Sequence, residues 1–108
     1  MAITSVKEIF DKMPEVFNSS AAKGLDAVFQ FEIAGDNGGI WNVAIKDGAC
    51  QVNEGRHPSP SVVLSMSADT WLGIVNRKTS GMQAFLTGKL KAGGNIMLAQ
   101  RIEQLFPL

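Results

Sequence analysis

Residues 29–48 read FQFEIAGDNGGIWNVAIKDG, and the alternation in this stretch decides the architecture. Phe29, Phe31 and Ile33 alternate with Gln30 and Glu32, the period-two pattern of a strand with one buried face. Asp36-Asn37-Gly38-Gly39 is turn chemistry that tolerates positive φ. Trp41, Val43 and Ile45 then alternate with Asn42 and Ala44 as a second strand. Asp47-Gly48 is a two-residue hairpin signal, and a third strand follows from Cys50 to Glu54. Three antiparallel strands in succession make a meander.

Helices flank this meander on both sides. Upstream, Ser5-Val6-Lys7-Glu8 fits a capping box, and Val6, Ile9, Phe10, Met13 and Phe17 recur at helical spacing. Pro14 should kink or divide that helix. Downstream, Pro58 and Pro60 lack ladder donors, so residues 55–60 form a loop before a fourth strand over Ser61 to Ser67. Ser67 then caps a helix bearing Trp71, Leu72, Ile74 and Val75, and a second short helix spans about Ser80 to Thr87, with Gly88 as its left-handed stop. Lys89-Leu90-Lys91 reads as a short edge strand whose lysines discourage further pairing. Asn95 caps a final helix through Ile96, Ala99, Ile102 and Phe106, with Pro107 beyond its end. The expected class is α+β: a five-stranded, mainly antiparallel sheet covered by helices, as one domain over residues 1–108.

Composition removes whole classes of function. Ten Lys+Arg balance ten Asp+Glu, which argues against a dedicated nucleic-acid binder, and the chain has no Tyr and no aromatic platform among its cations. Charge is nevertheless segregated. Residues 1–69 hold five basic and nine acidic side chains (−4), and residues 70–108 hold five basic and one acidic (+4). One cysteine excludes an internal disulfide, and one histidine excludes a two-histidine metal clamp. There is no apolar signal core near Met1, no span-length apolar run, and no peroxisomal tripeptide at Phe106-Pro107-Leu108. A cytoplasmic location, reducing and soluble, is the expectation.

Catalytic groups are scarce. His57 lies in a proline-flanked loop and reads as a solvated side chain; Cys50 reads as a small strand thiol. Asp36, Asp47 and Glu54 sit in or beside turns, and Glu8, Asp11 and Glu15 lie on the solvent side of the first helix. Gly93-Gly94-Asn95 opens a helix as an anion site would, but it lacks the Lys-Ser or Lys-Thr of a phosphate-binding loop. What exceeds expectation is apolarity after Ser67. Ile96-Met97-Leu98-Ala99 is apolar nearly all round, and Met66, Met82 and Met97 suit a deformable pocket. Periodicity alone leaves open ordinary core packing, a dimer patch, or a cavity between sheet and helices.

The segment Gly81-Met82-Gln83-Ala84-Phe85-Leu86-Thr87-Gly88-Lys89-Leu90-Lys91-Ala92-Gly93-Gly94-Asn95 resembles the hallmark of the sterol carrier protein 2 (SCP-2) family. So do the Trp41 to Gly48 hairpin, the Pro60 to Met66 strand, the Ser67-Ala68-Asp69 helix start and the closing Leu98 to Phe106 helix. The late Gly-Asp pair common in that family is Gly94-Asn95 here, and Asn caps a helix as well as Asp. The resemblance covers essentially the whole chain and implies a five-stranded sheet and helices enclosing a hydrophobic lipid tunnel. It implies a stand-alone, bacterial-type member, because the peroxisomal tail is absent. Members carry sterols, phospholipids, fatty acids or fatty acyl-CoA, and also occur as modules appended to enzymes.

The expected function is therefore a non-catalytic intracellular carrier without a cofactor. The lining assigned from position and polarity is Phe31, Trp41, Val43, Met66, Leu72, Val75, Met82, Phe85, Leu86, Ile96 and Met97. Lys89, Lys91 and Arg101 are the candidates for a lipid headgroup or an anionic membrane surface. The alternative is an interaction module, its apolar C-terminal surface forming a homodimer or docking on a lipid-metabolising enzyme.

Overall fold

The Ser5 hydroxyl accepts from the Glu8 N–H at 3.2 Å and so starts α1 (Val6–Val16) in the computed structural model, which describes residues 5–35 and 38–106. Val6, Ile9, Phe10 and Met13 form its buried stripe. The helix runs on through Pro14 without dividing, since Pro14 sits exposed in the last turn and removes only a terminal hydrogen bond.

The meander follows as β1 (Ala27–Ala34), β2 (Gly39–Lys46) and β3 (Ala49–Glu54), completed by β4 (Val62–Ser67) and β5 (Leu90–Gly94). Asp47 and Gly48 take φ of 53° and 76°, the double positive φ that a tight β2–β3 hairpin requires. Strand order is β3-β2-β1-β4-β5, with β1–β4 parallel and the other three pairings antiparallel. Period-two alternation puts Phe29, Phe31, Ile33, Trp41, Val43, Val62, Leu64 and Met66 on one face. The β3–β4 loop crosses the other face. There Gln30 Oε1 accepts from the His57 N–H at 2.9 Å, and Asn42 Nδ2 donates to the Gly55 carbonyl at 3.0 Å. With Gln30 Nε2 donating to Glu32 Oε2 at 2.9 Å, those bonds give the buried amides of Gln30 and Asn42 their partners. They also make His57 half-buried rather than solvated, with its Nδ1 accepting from the Ser59 N–H.

The helical layer continues with α2 (Ala68–Val75), α3 (Gly81–Leu86), α4 (Ile96–Ala99) and α5 (Ile102–Leu105). Ser67 and Ser80 are side-chain caps, accepting from Thr70 N–H at 3.1 Å and Gln83 N–H at 3.0 Å. Gly88, at φ 79°, ends α3 while Lys89 N–H reaches back to the Ala84 carbonyl. The single closing helix expected after Asn95 is instead two short ones, and Asn95 makes no side-chain cap bond. The break at Gln100–Arg101 re-aims the chain: Arg101 Nη2 donates to the Ala21 carbonyl and Asn18 N–H to the Leu105 carbonyl, both at 2.8 Å. Ile102, Leu105 and Phe106 are thereby buried, Phe106 against Phe17. Asp36, Asn37 and Pro107, read as turn and helix-end residues, lie outside the described residues.

Packing differs between the two halves of the covered sheet face. Under α1, Phe10 stacks on Trp41 at 4.5 Å and meets Phe31 edge-on at 5.3 Å. Each such pair adds about 0.5–1.5 kcal/mol beyond its buried area. Trp71 of α2 closes the cluster, 5.1 Å from Phe31. Beyond Trp71 the interior is not filled.

Candidate functional site

The unfilled space is a cavity of about 280 Å³ between β4–β5 and the helices α2 to α5. Each element contributes a short, regularly spaced set. In the sheet, Leu64 pairs with Ala92 and Met66 with Leu90, so the inward positions of both strands meet in register. On the helices the wall is made by i, i+3 pairs, which lie on one helical face: Trp71 and Ile74, Met82 and Phe85, Ile96 and Ala99. Ser80, Gly81, Gln100 and Ile102 complete it. Met82, Phe85 and Ile96 are 55%, 41% and 44% exposed, so the cavity has an open, apolar rim.

Among the described residues, none that lines the cavity is ionisable. Ser80 is engaged as a helix cap. Trp71 is buried, and its Nε1 has no acceptor among the described residues. A buried N–H left without an acceptor costs about 1–3 kcal/mol.

Of the residues expected to line a tunnel, Met66, Met82, Phe85 and Ile96 meet at this cavity. Phe31, Trp41 and Val43 are placed elsewhere in the buried core, Phe31 and Trp41 against Phe10 of α1. Leu72 and Val75 pack on the core from the other stripe of α2. Leu86 and Met97, 72% and 76% exposed, point outward from α3 and α4. The sequence reading passed over Leu64, Trp71, Ile74, Leu90, Ala92, Ala99 and Ile102. Chain proximity was the available signal, because β4 and β5 directly adjoin the late helices that roof the cavity.

The three expected headgroup cations are outside the wall. Lys91 pairs in register with Ser65, on the helix-free face, and with Lys89 and Glu32 borders a separate shallow hollow there. Arg101 is committed to the Ala21 carbonyl. Burial pushes the Cys50 thiol above its ordinary range, which favours the unreactive protonated form. Among the described residues no cluster of three His, Cys, Asp or Glu could hold a metal, and no helix is long and apolar enough to cross a membrane.

A family model described as the SCP-2 sterol transfer family matches residues 6–107. Hydroxysteroid dehydrogenase-like protein 2 of Mus musculus is 35% identical over 103 residues, covering 94% of this chain but 21% of its own. This chain thus spans about a fifth of that relative's length. Among solved structures, the stereoselective inverting sec-alkylsulfatase Pisa1 from Pseudomonas sp. superposes with a TM-score of 0.83 at 18% identity, over 95% of this chain and 16% of that one. Sterol Carrier Protein 2 from Yarrowia lipolytica, in its apo form, superposes with a TM-score of 0.71 at 26% identity, over 90% and 85% of the two chains. With the match running from the first turn of α1 to beyond α5, the chain belongs to the SCP-2 sterol transfer family.

Proposed function

We propose that this chain is a non-catalytic, cytoplasmic lipid-carrier domain that shelters the apolar part of one lipid in the cavity beneath α2 to α5. The observation carrying this reading is an uncharged cavity whose rim is also apolar, at Met82, Phe85 and Ile96. Such a space rewards transfer of a chain out of water by about 0.8 kcal/mol per methylene buried. Fatty acid, fatty acyl-CoA, phospholipid and sterol-like ligands all present such an apolar part. Lys89 and Lys91, in and beside the α3–β5 turn, would favour encounter with an anionic membrane surface during loading, a contribution to rate more than to affinity. Titration of the purified protein with a fluorescent fatty acid, displaced by unlabelled acyl-CoA or phospholipid, tests the reading. Saturable binding is expected, and its absence for all of these ligands would overturn it.

A second reading rests on Leu86 and Met97, which are exposed yet stand off the cavity. They suit a contact with another copy or with an enzyme to which such a domain is attached, as in the longer dehydrogenase-like relative. A concentration-dependent mass that Leu86→Lys with Met97→Lys abolishes, without loss of lipid binding, would favour it.

A further inference from the structure

Among the described residues, the large apolar side chains that remain exposed are confined to two short helices: Met82, Phe85 and Leu86 on α3, and Ile96 and Met97 on α4. Within α3 only Ala84 is buried, and within α4 no residue is, so both helices carry apolar side chains that the core does not use. Exposed apolar residues scattered singly are ordinary on a soluble surface, whereas a gathered set marks a contact. Met82, Phe85 and Ile96 come together at the cavity rim, and Leu86 and Met97, on the same two helices, extend the apolar surface beyond it.

The segment that builds this patch carries charge of one sign. Residues 70–102 include Arg77, Lys78, Lys89, Lys91 and Arg101 and no Asp or Glu. Lys78 and Lys89 are exposed and bracket α3, and their backbone N–H groups donate to the Gly73 and Ala84 carbonyls at 2.8 and 2.9 Å. Those bonds fix both cations at the ends of the helix. Apolar side chains flanked by lysines are complementary to hydrocarbon lying beneath anionic headgroups. They are poorly complementary to a second copy of the chain. A two-fold contact sets the same patch against itself and brings Lys78 and Lys89 of both copies to one interface, like charge to like.

We infer, resting on the lipid-carrier reading, that α3 and α4 are the face on which this chain docks to an anionic bilayer. Met82, Phe85, Leu86, Ile96 and Met97 enter the outer hydrocarbon, and Lys78 and Lys89 meet the headgroups. The apolar side chains supply the hold; the lysines supply the preference for anionic lipid. Because Met82, Phe85 and Ile96 also frame the cavity mouth, docking sets that mouth directly against acyl chains. A lipid then passes between bilayer and cavity without exposing its methylenes to water on the way.

The test floats the full chain with vesicles of phosphatidylcholine, with and without phosphatidylglycerol, and titrates it in parallel with the fluorescent fatty acid. Partitioning is expected onto the phosphatidylglycerol vesicles, and less onto phosphatidylcholine alone or at high salt. Leu86→Ser with Met97→Ser should lower partitioning about tenfold or more and leave fatty-acid affinity unchanged, since both side chains stand off the cavity. Lys78→Gln with Lys89→Gln should lose about fivefold per cation on the anionic vesicles only. All four side chains are exposed, and the fatty-acid titration reports that each variant is folded. Fatty-acid binding without vesicle partitioning overturns the inference and leaves the carrier reading intact. Partitioning that survives the Leu86 and Met97 pair, or that ignores both phosphatidylglycerol and the lysine pair, overturns it as well. So does a concentration-dependent mass, abolished by Leu86→Ser with Met97→Ser, in place of vesicle binding: the patch is then a protein contact. Partitioning that follows both pairs in a chain that binds no fatty acid, acyl-CoA or phospholipid removes the carrier reading and leaves the docking face.

Discussion

Filling the cavity should strengthen the fold and weaken the ligand by the same physical term. Ala92 lies opposite Leu64 in the β4–β5 pair and forms part of the cavity wall, so Ala92→Leu directs new carbon into empty space. Three added carbons at about 0.8 kcal/mol each give up to about 2.4 kcal/mol of stabilisation if fully buried. For 108 residues that is a rise in Tm on the order of 10 °C. The same carbons deny the ligand three methylenes of burial, a loss of about 50-fold in affinity. Val43→Leu is the matched control on the same sheet face: Val43 is wholly buried and does not line the cavity, so an extra carbon there must force its neighbours apart at about 1–3 kcal/mol. Thermal unfolding followed by circular dichroism, together with titration of the fluorescent fatty acid, reads both effects. Expected are a stabilised, binding-impaired Ala92→Leu and a destabilised Val43→Leu that still binds. If Ala92→Leu were destabilised as Val43→Leu is, or bound ligand as the wild type does, the cavity would not be the binding space.

The strand-end glycines provide a second contrast. Gly94 has φ +89°, and a Cβ there would lie 2.6 Å from the Ser61 carbonyl oxygen, whereas a Cβ on Gly93 meets nothing within 4 Å. Gly94→Ala should lose about 1–3 kcal/mol in urea unfolding and Gly93→Ala little; equal losses would refute the close-approach argument. The Cys50 thiol should react with a disulfide reagent more slowly than free cysteine at neutral pH, its rate rising only at higher pH, because burial disfavours the thiolate. The sign for stability follows. An unfolded chain ionises this thiol first, so the folded state loses stability as pH climbs through and above the ordinary thiol range, and a Cys50→Ser variant should lack that component.

Elements governed by short-range rules were legible. The alternation in β1 and β2, the Asp47-Gly48 turn, the Ser67 cap and the Gly88 stop each rest on a few neighbouring residues. The site was legible in part. α2 is apolar on two stripes, and nothing in its spacing says whether Trp71 with Ile74 or Leu72 with Val75 faces the cavity. Phe31, Trp41 and Val43 were plausible lining because they are large or apolar and inward. That same property lets α1 pack tightly against them.

What the amino-acid sequence determined by itself was the order of elements as far as β5 and the faces that β1 and β2 bury. Those properties follow from local periodicity and capping, which act within a turn or a strand. What only the tertiary structure decided was where the interior is full and where it is empty. That depends on α1 lying over β1 and β2, and on the break at Gln100–Arg101 turning α5 toward Ala21 and Asn18. It places the empty space beside Trp71, between partners far apart along the chain. A cavity is the difference between large volumes brought together by distant contacts, and no single segment encodes that difference.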